Sequence, residues 1–147
     1  MPIDKIAFLL PDLSVHNASL VLERPGQNEC TIQLNHDLIG IITKTSADYF
    51  SALLELRKEL DARGIKLLCW GARPDVWPTG FQADCTKGVV ATRFFMQPPH
   101  PPTNEGTKIR RAGNIFAPAS PDEVGTVEDL IHFRKLYFEA TKRRDNP

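Results

Sequence analysis

The chain has 147 residues, 18 Lys and Arg against 18 Asp and Glu, and no formal net charge with histidine neutral. Domains usually hold about 100–200 residues, so one domain is expected, large enough to bury roughly two thirds of its unfolded surface without staples. A hydrophobic fraction of 41% and a charged fraction of 24% are ordinary for a globular chain and exclude a disordered or collagenous one. The longest near-apolar run, Ile6 to Leu10, is too short to span a bilayer, so no membrane partner is expected. Neutral charge argues against a phosphate-tracking nucleic-acid binder.

The first elements read as strands. Lys5 to Leu10 is an apolar run ended by Pro11-Asp12, and Ser19 to Glu23 is a second candidate. Pro25-Gly26-Gln27-Asn28 is turn material. Beyond it, Cys30, Ile32 and Leu34 alternate with Thr31 and Gln33, the period of a half-buried strand, so the two runs predict a hairpin. Leu38 to Thr43 is β-branched and predicts a third strand, with Gly40 as a bulge.

A helix follows. Thr45 or Ser46 is the expected cap, with Asp48 in the first turn. Phe50, Leu53, Leu54, Leu56 and Leu60 mark its apolar face, and Arg57 and Asp61 are expected as an i,i+4 pair on the wet side. Arg63 and Gly64 end it, and Ile65 to Trp70 follows as an apolar strand. Gly71 to Gly80 is a loop with two prolines, and Val89 to Met96 is another strand. Pro98-Pro99-His100-Pro101-Pro102 predicts an exposed extended segment. Asn114 to Pro121 is irregular, with Ile115 and Phe116 as anchors. A second main helix starts near Gly125, where Thr126 and Asp129 form a capping box with Asp in place of Glu or Gln. Leu130, Phe133 and Tyr137 share its face, widened by Ile131 and Phe138. The whole predicts a single α+β domain: an antiparallel or mixed sheet of about five or six strands with two main helices.

Residues suited to chemistry are scattered. Cys30, Cys69 and Cys85 form no C-x-x-C pair, and His16, His36, His100 and His132 form no H-x-x-x-H, so no metal and no cofactor is expected. An odd set of thiols with no secretory signal pattern at Met1 to Lys5 fits a reducing cytoplasm. Cys69 in an apolar strand should have a raised pKa, and Cys85 beside Lys87 is the better nucleophile, though it has no matched base. There is no phosphate loop and no G-x-S-x-G elbow. Residues 106–147 carry eight Lys and Arg and six Asp and Glu, a solvated surface rather than a basic stripe, so no nucleic-acid partner is expected.

The most unusual stretch is Trp70-Gly71-Ala72-Arg73-Pro74-Asp75-Val76-Trp77-Pro78-Thr79-Gly80-Phe81. Aromatics and arginine dominate interface hot spots, and Pro74 and Pro78 lower the entropy lost on binding. The same residues suit a purely structural role, with Trp70 and Trp77 pinning the loop and Arg73 paired to Asp75. Extended back to Leu67, the stretch is similar to the pattern L-x-C-x-G-[AS]-R-x-D-V-x-P-S-G-M of small bacterial immunity-like proteins encoded beside polymorphic toxins, including Rhs-type effectors of type VI secretion. The resemblance takes in Asn114 to Ala119 and Thr126 to Phe138. Thr79 stands where the pattern has Ser and Phe81 where it has Met, and Asp84 to Gly88 lacks a Gly-rich run.

The resemblance implies a cytoplasmic, non-enzymatic protein that binds a cognate toxin and blocks it stoichiometrically. Trp70, Arg73, Asp75, Trp77, Thr79 and Phe81 are the partner-binding residues expected from the loop's composition. Zero net charge leaves toxins other than basic nucleases open. Two other readings stand beside it. One is a small enzyme with a pocket where Arg73 binds an anionic substrate and Asp75 or Asp84 acts as base. The other is a structural homodimer.

Overall fold

The computed structural model describes residues 2–96 and 111–145. The first four strands form a meander of antiparallel hairpins: β1 (Pro2–Leu9), β2 (Val15–Gly26), β3 (Glu29–His36) and β4 (Gly40–Ser46). The β2–β3 pairing reaches Gly26–Glu29, which leaves Gln27-Asn28 as a two-residue turn. At the β3–β4 end the Ile39 amide donates to the His36 carbonyl at 3.0 Å. Gly40 then takes φ +91°, so it closes the hairpin loop rather than bulging a strand.

Helix α1 (Tyr49–Asp61) packs on one face of this sheet through Phe50, Leu53, Leu56 and Leu60. Its cap is Asp48, whose carboxylate accepts from the Ser51 amide at 2.7 Å and the Ser51 hydroxyl at 3.1 Å. This corrects the expectation at Thr45 or Ser46: both belong to β4, paired with Thr31 and Cys30. Gly64 holds φ +71° and turns the chain into β5 (Lys66–Leu67), which completes the order β4-β3-β2-β1-β5.

The expected strand Ile65 to Trp70 is cut short. Strand pairing with β1 ends at Leu67, Cys69 makes an isolated bridge to Pro118, and Trp70 already opens a 3-10 turn, Trp70–Ala72. After it come β6 (Val76–Trp77), α2 (Gly80–Cys85), β7 (Val90–Arg93) and β8 (Ala112–Asn114). These strands build a second antiparallel sheet, β6-β7-β8, so the fold is α+β with two sheets of five and three strands rather than one. Helix α3 (Val127–Asp145) follows, entered through the Thr126–Asp129 capping box with bonds of 2.9 and 3.1 Å. The two main helices expected thus become three with α2. Leu53, Leu67, Val76, Ala91 and Ile115 join both sheets in one buried cluster.

Arg57 departs most from expectation. It is not on the wet side of α1 but only 2% exposed. Its guanidinium donates to the carbonyls of Gly71 (3.2 Å), Ala72 (3.2 Å) and Gly125 (3.1 Å). Asp61, its presumed partner, instead accepts from the Val127 amide at 2.9 Å and so caps α3.

The cap assignment is testable by chemical denaturation. Asp48→Ala should cost about 1 kcal/mol of stability, whereas Ser46→Ala should change it by a few tenths at most.

Candidate binding site

The 70–81 segment owes its shape to three sets of contacts made before any partner arrives. Backbone bonds fix its start: the Trp70 amide donates to Ala117 O at 2.7 Å and the Gly71 amide to Ile115 O at 2.8 Å. The approach is close enough that a Cβ on Gly71 would sit 2.7 Å from Ile115 Cβ and 2.9 Å from Leu53 Cδ2, so only glycine fits. Arg57 then ties the Gly71 and Ala72 carbonyls to α1, and the Gly125 amide donates to Ala72 O at 3.0 Å.

Charge fixes the middle. Arg73 Nε and Nη2 donate to the two oxygens of Asp75 at 2.9 and 3.2 Å, and Nη1 donates to Glu123 at 2.6 Å. Arg93 Nε reaches the same Asp75 carboxylate at 2.9 Å. Burial works against the Arg73 charge, but Asp75 and then Glu123 outweigh it and raise its pKa. Hydrogen bonds from the Ser120 amide and hydroxyl hold the Glu123 carboxyl below its usual range. A cleft of about 360 Å³ lies here, lined by Arg73, Asp75, Arg93 and Glu123 among others. All three guanidinium nitrogens of Arg73 are engaged by carboxylates. The Arg73 charge that an anionic substrate would use is therefore already met by Asp75 and Glu123.

Aromatic packing fixes the end. Trp77 stacks on Phe94 with centroids 4.0 Å apart and planes 11° from parallel. Phe133, Tyr137 and Phe138 of α3 meet it at 5.7–6.2 Å, and the Arg134 guanidinium lies 5.3 Å from its ring. The stack carries dispersion and cation–π attraction beyond simple burial.

The expected partner-binding residues therefore divide. Trp70 and Trp77 are buried at 6% and 3% exposure, and Arg73 is buried with them. They are framework, because large rings beside an apolar core gain more from burial than from waiting in water. Asp75 is half-buried between two arginines. Thr79 and Phe81 alone face solvent, with Phe81 at 76% exposure. Thr79 caps α2: its hydroxyl accepts from the Gln82 amide at 3.2 Å, and Gln82 Oε1 accepts from the Thr79 amide at 3.0 Å. Gln82 Oε1 also accepts from the Thr92 hydroxyl at 3.0 Å, which ties α2 to β7. The Thr-x-x-Gln signature was present in the sequence; the helix it starts is only six residues long and buries none, so no apolar period marks it.

Pro98 to Pro102, Lys108 and Arg110 lie outside the described residues. Cys30 and Cys69 are buried and Cys85 is exposed at the end of α2. Burial pushes the Cys69 thiol up to about 11. His16 and His36 pack beside Phe8, and the Ser14 hydroxyl links Asp12 to His16. Among the described residues no three His, Cys, Asp or Glu side chains converge as a metal site, and no helix is long and apolar enough to cross a membrane. No protein-family model matches this chain, and no curated protein matches it.

The charge cluster predicts a stability effect. Asp75→Asn leaves Arg73 and Arg93 without their shared anion and should cost about 2–4 kcal/mol in chemical denaturation. Asp84→Asn, on an exposed side chain, should stay within about 0.5 kcal/mol of the parent.

Proposed function

We propose that this chain is an immunity-type protein that binds a cognate bacterial toxin domain and neutralises it by one-to-one contact. One observation carries the reading: a large aromatic, Phe81, stands in solvent on a helix whose start is locked by a capping box and by the buried Trp77 stack. An exposed apolar anchor on a rigid support is what stoichiometric inhibition needs, since little conformational entropy remains to be lost on binding. The 67–81 resemblance to immunity-like proteins supports the same reading.

In this account the contact residues are Thr79 and Phe81 of the α2 start; Phe138, 51% exposed on the Trp77 aromatic cluster, offers a further apolar surface. Trp70, Arg73 and Trp77 act one layer beneath, by shaping the segment that leads into α2. Substitutions in the two layers should therefore fail differently: surface ones lose affinity, buried ones lose the fold.

The test is co-purification of the tagged chain, identification of a one-to-one partner, and protection of cells expressing that partner. The expected partner is a toxin domain. Phe81→Ala should weaken its binding by about 2 kcal/mol, roughly 30-fold, while leaving the melting transition unchanged. Trp77→Ala should lower the melting transition. A chain that protects against no co-encoded toxin contradicts the proposal, and unchanged affinity in folded Phe81→Ala removes α2 from the interface.

A further inference from the structure

The two edges of the five-stranded sheet are treated differently. At one edge β5 is two residues long, and the chain past it is occupied: the Leu68 amide donates to Ala7 O and the Ala119 amide donates to Leu68 O. At the other edge stands β4, seven residues in unbroken register with β3 from Ser46–Cys30 to Gly40–His36. Among the described residues β3 is the only strand paired with it. Alternate residues of such a strand turn their backbone amides and carbonyls outward, where they can template another strand.

Edges are ordinarily blunted by proline, bulges, brevity or free charge. β4 has no proline and no register shift. Its single charge, Lys44, is held by Glu59 at 3.0 Å. Ile41 is 66% exposed on the strand.

The strand is also complementary to itself. An antiparallel copy related by a two-fold axis at Thr43 pairs all seven residues, Gly40 with Ser46 through Thr43 with Thr43. Ile41 then faces Thr45 of the other copy and Thr43 faces Thr43, so β-branched residues meet on that face; on the other, Ile42 faces Lys44, so no like charges oppose. An axis at Lys44 would set two ammonium groups against each other. An axis at Ile42 would leave the last two residues unpaired.

We propose that β4 is the dimerisation edge of this protein, joining a second copy of the chain through a two-fold axis at Thr43 into one continuous ten-stranded sheet. The occupant is a second copy because pairing about the middle of this strand sets Ile41 against Thr45 and Thr43 against Thr43 and keeps the two Lys44 ammonium groups apart. This surface involves none of the α2 residues, so the dimer stands whether or not the toxin-binding reading does.

Sedimentation velocity on the purified full chain tests it. The parent should run as a dimer at tens of micromolar. Thr43 is exposed, so Thr43→Lys and Thr43→Glu should both fold, as judged by circular dichroism, and each should run as a monomer because like charges face each other across the axis. An equimolar mixture of the two should recover the dimer. A monomeric parent overturns the proposal, as does a parent dimer that survives Thr43→Lys unchanged. Failure of the mixture to re-associate overturns the axis at Thr43.

Discussion

A buried guanidinium holds the two halves of this protein together. Arg57 projects from the middle of α1, the helix that covers the five-stranded sheet, and its donors end on three backbone carbonyls from two distant segments. The 3-10 turn does not itself satisfy the Gly71 and Ala72 carbonyls; the Gly125 amide reaches Ala72 O and Arg57 reaches both, where a buried carbonyl left unpaired would cost about 1–3 kcal/mol. Arginine suits the task because its rigid fork of five donors stays charged even where burial lowers its pKa, as it does here. The Gly71 and Ala72 carbonyls precede Arg73, and the Gly125 carbonyl precedes the cap of α3. One side chain thus sets where the second sheet and the last helix begin relative to the first sheet.

From that point the structure propagates outward in layers. Arg57 places Ala72, Arg73 places Asp75, and Asp75 recruits Arg93 of β7. Trp77 then stacks against Phe94, just past β7, and receives α3 from above. The outermost layer is α2 with Phe81. The composition that marks the 70–81 stretch as a binding loop, two tryptophans and an arginine, is mostly internal scaffolding. What faces a partner is what that scaffolding leaves exposed. The proposed dimer edge lies on the first sheet, away from these residues in sequence and in function.

The legible part of the sequence was the part with a period. Alternation at Cys30, Ile32 and Leu34 located β3; the apolar face from Phe50 to Leu60 located α1; and Thr126 with Asp129 located the start of α3. Elements of two or three residues, such as β5, β6 and β8, are too short to show any period, so the second sheet could not be read and the predicted Ile65–Trp70 strand ran too long. Arg57 was misread for a physical reason. Its spacing from Asp61 is that of an exposed ion pair, and nothing local reveals carbonyls delivered from residues 71, 72 and 125. The candidate site was legible in its residues but not in their depth. Arg73 and Asp75 pair as their spacing allows, but depth is a property of what packs over the segment, here Ile115, Phe94 and α3.

The most direct test of this account is native-state amide hydrogen exchange on Arg57→Met, which keeps the apolar stem and removes the donors. The amides of Gly71, Ala72, Gly125 and Val127 should lose protection selectively, while those of β2 and β3 keep theirs. Loop amides as protected as in the parent, or an equal loss across both sheets, would contradict the claim that this guanidinium is the joint between the two halves.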